Sequence, residues 1–110
     1  MGNSNNISIL TEVKNKKTSI ENAYGHWEKY KSEFPELQNS LEYVRATNEF
    51  LNNPPTGSMI KIRPNRDVVI YDPASGVFGI KNSDGTPGTM FKPEPSNYKY
   101  PNNIEYFNAQ

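Results

Sequence analysis

Between Ser58 and Pro93 the apolar positions fall into four short runs, Ser-Met-Ile-Lys-Ile-Arg, Asp-Val-Val-Ile-Tyr, Val-Phe-Gly-Ile-Lys and Thr-Met-Phe-Lys. Turn-forming residues separate them: Pro64-Asn65-Arg66, then Asp72-Pro73-Ala74-Ser75-Gly76, then Asn82-Ser83-Asp84-Gly85-Thr86-Pro87. Strands this closely spaced predict a four-stranded antiparallel meander over about residues 58–92, because parallel neighbours need a long crossover. In the first run a period of two places Ile60 and Ile62 on an apolar face, expected to be the core, and Met59, Lys61 and Arg63 on a charged one. With Met90 turned to the core, Thr89 and Phe91 join that charged face.

Upstream the period changes. Thr18-Ser19-Ile20-Glu21 has the form of a capping box, and Ile20, Ala23, Tyr24, Trp27 and Phe34 then recur at helical spacing until Pro35, which predicts a helix over 19–33 with Gly25 as its weak point. At about 100° per residue, Asn22, His26, Lys29 and Glu33 share the flank away from this stripe, and Tyr30 lies between the two faces. Asn39-Ser40-Leu41-Glu42 opens a second helix over 40–52, apolar at Leu41, Tyr43, Val44, Thr47, Phe50 and Leu51 and ended by Asn52-Asn53-Pro54-Pro55. Ile104-Glu105-Tyr106-Phe107 suits a closing turn or short helix. Residues 1–17 read as a loosely held lead-in and 18–110 as a single domain. The fold class is α+β, two N-terminal helices packed on one face of a four-stranded twisted antiparallel sheet. Trp27, Leu41, Val44, Ile60, Ile62, Ile70 and Phe78 are expected to be largely buried.

Composition narrows the chemistry. At 110 residues and 34% hydrophobic the chain has enough apolar surface for one thin core only. With no cysteine, disulfides, thiolate-bound zinc and a cysteine nucleophile are excluded. No apolar run approaches the roughly 20 residues that span a bilayer, and the first residues lack the pattern of a signal peptide, so no membrane anchoring by this domain is expected. The balance of 12 basic and 12 acidic residues disfavours a strongly basic duplex binder while leaving room for a small focused site.

His26 is the single histidine and the side chain best suited to proton transfer near neutrality. Arg63 and Lys61 on the first strand and Lys92 after the fourth can bind phosphate, and Thr89 and Phe91 add a hydroxyl and a stacking ring beside them. Metal-independent RNA cleavage needs this set: a proton acceptor for the ribose 2′-hydroxyl, a cation or hydroxyl for the phosphorane, and an aromatic surface for an unstacked base. No cofactor and no metal ligand set are expected. Read from the residues alone, a protein-binding face fits as well.

The runs Gly25-His26-Trp27-Glu28-Lys29, Ser32-Glu33-Phe34-Pro35-Glu36, Phe50-Leu51-Asn52-Asn53-Pro54-Pro55, Tyr71-Asp72-Pro73 and Asp84-Gly85-Thr86-Pro87-Gly88-Thr89-Met90-Phe91-Lys92-Pro93 resemble the C-terminal toxin domains of contact-dependent growth inhibition and other polymorphic toxin proteins. The resemblance covers roughly residues 23–110 and points to the barnase, EndoU, colicin and RelE ribonuclease superfamily. It implies a metal-independent endoribonuclease, often a tRNase. Such a domain is carried on a larger secreted or cell-surface protein, delivered to the cytoplasm of a target bacterium, and neutralised by a cognate immunity protein; a host factor is left open. Carried over by position, His26, Lys29, Arg63 and Thr89 are the catalytic candidates, with Tyr30, Lys61, Arg66, Phe91 and Lys92 as substrate contacts. Three positions depart from the family pattern: Tyr30 stands in place of a second histidine, Arg66 in place of a glycine, and Gly88 in place of a cation. These departures leave open a weakened or inactivated enzyme, and with it a catalytically silent module that binds protein through the same sheet face.

Overall fold

The computed structural model describes residues 19–110, with side chains from residue 24 onward. The lead-in and the Thr18 end of the capping box lie outside the described residues, as do the side chains of Ile20, Asn22 and Ala23. Helix α1 (Ser19–Tyr30) runs into a 3₁₀ turn (Lys31–Glu33) and is followed by helix α2 (Ser40–Asn52). Strands β1 (Met59–Ile62), β2 (Val68–Asp72), β3 (Val77–Lys81) and β4 (Pro87–Phe91) come next, then a second 3₁₀ turn (Pro95–Tyr98) and helix α3 (Asn103–Asn108). The architecture is α+β, with the strands antiparallel in the order β1-β2-β3-β4. Among the described residues no helix is long and apolar enough to cross a membrane.

The start of α2 is set by Asn39, whose side chain accepts from the Glu42 amide at 2.9 Å. Asn102 does the same for α3 through the Glu105 amide, also at 2.9 Å. Between β2 and β3 the Asp72 carboxylate accepts from Ala74 N and Ser75 Oγ, fixing the turn that the Asp-Pro-Ala-Ser-Gly sequence predicts.

The other two hairpins share one bonding pattern. Arg63 N donates to Asp67 O and Arg66 N to Arg63 O, as Asn82 N donates to Thr86 O and Gly85 N to Asn82 O. This is a turn closed by one left-handed residue. That residue is Gly85 (φ 88) in one hairpin and Arg66 (φ 74) in the other. Arg66 therefore holds a backbone conformation that glycine adopts freely, which is why a glycine suits this position.

The sheet is covered on both faces. On one, α1 and α2 enclose Phe34, Tyr43, Phe50, Leu51, Ile70, Val77 and Met90. On the other, α3 delivers Tyr106 and Phe107 onto Val69, Tyr71, Phe78 and Phe91. Successive β2 side chains point to opposite sides, so double coverage accounts for the unbroken burial of Val69, Ile70, Tyr71 and Asp72.

Ile70 and Phe78 are buried as expected, and Trp27 and Val44 are half-buried. Three positions expected in the core are instead exposed: Leu41 at 56%, Ile60 at 59% and Ile62 at 67%. The register pairs Ile60 with Ile70 and Ile62 with Val68, which does place them on the face that carries α1 and α2. Those helices lie over β3 and β4 and leave the edge strand β1 uncovered. Met59 packs instead into the cluster under α3. Leu41 lies roughly 200° around the helix from Tyr43 and so misses the buried stripe.

Relieving the left-handed arginine tests this account of the hairpins. Arg66→Gly should raise stability by about 1 kcal/mol, read as a higher urea midpoint with unchanged slope; a lower midpoint would contradict it.

Candidate functional site

The site residues on α1 are brought together by helical spacing. His26 and Tyr30, one turn apart, stack with ring centroids 6.3 Å apart and planes 12° apart. Lys29 Nζ lies 5.2 Å from the Tyr30 ring centroid. On its other side Tyr30 stacks on Phe91 of β4, at 5.6 Å and 27°. Phe91 in turn stacks on Phe78 at 5.8 Å. A continuous line of rings thus leads from His26 to the centre of the sheet face under α3. Tyr30 touches both clusters, in keeping with its place between the two faces of the helix.

Thr89 and Phe91 share one side of β4 while Met90 points to the core beneath α1 and α2, as the alternation predicts. The hydroxyl of Tyr43 donates to Met90 O at 2.6 Å and accepts from Met90 N at 3.0 Å. Its single proton is thereby committed, so in the 3.3 Å contact between Tyr43 and Thr89 the threonine is the donor. That long bond leaves the Thr89 hydroxyl ready to turn toward a stronger acceptor such as a phosphate oxygen. Two residues on, Glu33 Oε1 accepts from Lys92 N at 2.5 Å. Tyr43 and Glu33 together take up the Met90 N–H and C=O and the Lys92 N–H along the outer edge of β4.

Gly88 sits where the β3–β4 register shifts. A Cβ there would lie 2.6 Å from the Ile80 carbonyl oxygen and 3.0 Å from Asn82 Oδ1. A cation at this position would have to push β4 off β3, so the glycine and the local bulge belong together.

The remaining candidate cations are dispersed. Lys61 Nζ donates to the Asn108 carbonyl. Arg63 Nη2 donates to Gln110 Oε1 at 2.6 Å, and Gln110 Nε2 to Tyr106 O at 2.8 Å. Lys61, Val69, Ile80 and Thr89 form one cross-strand row, which sets Lys61 about 14 Å from Thr89 at the usual strand spacing. Lys92 turns to the other face, its Nζ 5.0 Å from the Phe34 ring centroid. Arg66 lies exposed at a hairpin tip. The structure therefore unites His26, Lys29, Tyr30 and Phe91, sets Thr89 two residues before Phe91 on the same side of β4 and against the Tyr43 hydroxyl, keeps Lys61 and Arg63 on the same face at its far edge, and separates Lys92 and Arg66 from both.

Tyr43 and Tyr106 are the site residues that sequence reasoning missed. Burial raises the Tyr43 phenol above its ordinary value, and the nearby Tyr30 phenol adds to this. Burial likewise raises Tyr106, which also feels Tyr98, Arg63, Tyr30 and Tyr100 and so stands between the two groups of candidates. Only the abundance of tyrosine, seven in the chain, hinted at them.

In chemical terms this junction offers an imidazole, a cation beside a stacked phenol and an adjustable hydroxyl; Phe91, expected as an open stacking ring, is instead buried between Tyr30 and Phe78 because α3 covers that face of the sheet. No protein-family model matches the chain, and no curated protein matches it either.

Tyr43→Phe leaves the Met90 amide and carbonyl unsatisfied and should cost about 1–3 kcal/mol, with faster hydrogen exchange at Met90. The pH dependence carries a sign. A phenol raised above 10.0 in the folded state contributes stability that is full below the unfolded value and is lost as pH rises through the folded one. The alkaline fall in stability of the parent should therefore be shallower in Tyr43→Phe; an equal fall would exclude Tyr43 as its source.

Proposed function

We propose that this chain is a metal-independent ribonuclease domain of the polymorphic-toxin type, acting on RNA and foremost on tRNA. The observation that carries the reading is the stack of His26, Tyr30 and Phe91, with Lys29 over Tyr30, which joins two blocks far apart in sequence. A base set against the His26 end of this stack would bring its ribose and phosphate beside the imidazole.

The reaction follows from the groups present. A general base takes the proton of the ribose 2′-hydroxyl, the 2′-oxygen bonds to the adjacent phosphorus, and the 5′-oxygen leaves with a proton from a general acid. The products are a 2′,3′-cyclic phosphate and a 5′-hydroxyl. His26 serves as the acid or base. Lys29 stabilises the phosphorane, and Thr89 turns its hydroxyl from Tyr43 to a phosphate oxygen. Tyr30 meets the base at its exposed edge, while Phe91, 7% exposed and held between the rings of Tyr30 and Phe78, supports Tyr30 from beneath and is not itself a substrate contact. An RNA strand crossing the face from this junction toward β1 would meet Arg63 and Lys61 at neighbouring phosphates rather than at the scissile one. That revises the direct role which the family pattern implies for Arg63.

By the same resemblance, the domain belongs to a larger secreted or cell-surface protein that delivers it to a target bacterium. Its partner would be an immunity protein that sets acidic residues against the cations of this face. The two helices before the sheet then serve to carry the catalytic flank. A second reading, a silent module that binds protein through this face, is favoured by the engagement of Arg63 and Lys61 with the C-terminal residues and by a tyrosine in place of the second histidine.

Single-turnover cleavage of tRNA in EDTA separates the readings, with folding checked by circular dichroism. His26→Ala should lower the rate by about 10²–10⁴, and Tyr30→His should raise it. Equal rates for His26→Ala and the parent would remove His26 from the chemistry. Cleavage by Tyr30→His alone would identify the chain as a disabled nuclease.

A further inference from the structure

The two edges of the sheet are treated differently. Along the β4 edge the Met90 N–H and C=O and the Lys92 N–H are taken up by Tyr43 and Glu33. Among the described residues nothing comparable is in place at β1. Arg63 N bonds to Asp67 O within the hairpin, so by the antiparallel alternation Lys61 and Met59 also face β2, and the N–H and C=O of Ile60 and Ile62 point away from the sheet. The turn, loop and cap bonds among the described residues do not use them, although the Pro55 carbonyl does take up the amide of Ser58. The side chains of the same two residues are 59% and 67% exposed, on a face that the helices leave bare. Open backbone groups and bare branched side chains at alternate positions are the two halves of a strand-pairing site.

Charge selects the occupant. In an added antiparallel strand the residue opposite Lys61 forms a non-hydrogen-bonded pair, the arrangement with the closest side chains. A second copy of this chain is disfavoured there. The register that sets both isoleucines against isoleucines is centred on Lys61 and places that lysine opposite its own copy. The ammonium of Lys61 rests on a neutral carbonyl, that of Asn108, so its charge is available to an acidic residue. We propose that β1 is a docking edge for an extended strand of a second protein, with branched apolar residues opposite Ile60 and Ile62 and an acidic residue opposite Lys61. This surface lies at the opposite edge of the sheet from the His26 junction, and the proposal stands whether or not the chain cleaves RNA.

The test titrates the full isotope-labelled chain with two blocked pentapeptides, Thr-Val-Glu-Val-Thr and Thr-Val-Lys-Val-Thr, to millimolar concentration, following backbone amide shifts. The expected result is a shift at the Ile60 and Ile62 amides, with the glutamate peptide about two- to fivefold tighter. Lys61→Glu, confirmed folded by circular dichroism, should reverse the preference. The proposal is overturned by the absence of shifts at Ile60 and Ile62, by equal affinity for the two peptides, or by a preference that survives Lys61→Glu. Sedimentation of the chain alone provides a further check. A dimer abolished by Ile62→Lys would make the occupant a second copy and would also overturn it.

Discussion

A single buried hydroxyl couples the helical layer to the edge strand β4 of the sheet. Tyr43 comes from α2, passes between Trp27 and Phe34, each 6.1 Å away ring to ring, and ends on the backbone of Met90. A phenol serving as both donor and acceptor to one residue of an edge strand does what another strand would do, without offering a new edge. Because the contact is dry, leaving either backbone group unmet costs more than the bond contributes in water. The position of β4, and with it Thr89 and Phe91, depends on this contact.

The aromatic line that begins at Tyr30 is the second constraint. Phe78 has no exposed surface and contacts Tyr71, Phe91, Tyr106 and Phe107. Offset and edge-on ring pairs add specific geometry to what their burial supplies. Tyr30 belongs to this packing and to the candidate site at once. A histidine in its place would bring a second titratable ring but less apolar surface against Phe91, so reactivity and packing pull this position in different directions.

Much of this was legible in the sequence. The turn residues around Asp72 and Gly85 announced the hairpins, Asn39 marked the start of α2, and the alternation through Thr89, Met90 and Phe91 assigned each to its face. The flank of α1 was readable too, because helical spacing alone puts His26, Lys29 and Tyr30 together. The second layer was not. Helix α3 spans six residues, too few for a periodic signal, so the run Val68-Val69-Ile70-Tyr71 was read as a strand without its implication of burial on both faces. From that omission followed the expectation that Lys61 and Arg63 would stand free; Ile60 and Ile62 were misplaced for a separate reason, that α1 and α2 cover β3 and β4 and stop short of the edge strand β1. The role of Tyr43 was hidden for a different reason: its hydroxyl acts on a residue 47 positions away, and no local pattern encodes such a partner.

The central claim is that the junction of α1 and β4 cuts RNA through the ribose 2′-hydroxyl. Analysis of the ends left on tRNA after incubation with the chain in EDTA tests it most directly. The account predicts discrete fragments ending in 2′,3′-cyclic phosphate and beginning with 5′-hydroxyl, and no cleavage at sites carrying a 2′-O-methyl group. Intact tRNA, or fragments with 3′-hydroxyl and 5′-phosphate ends, would contradict it.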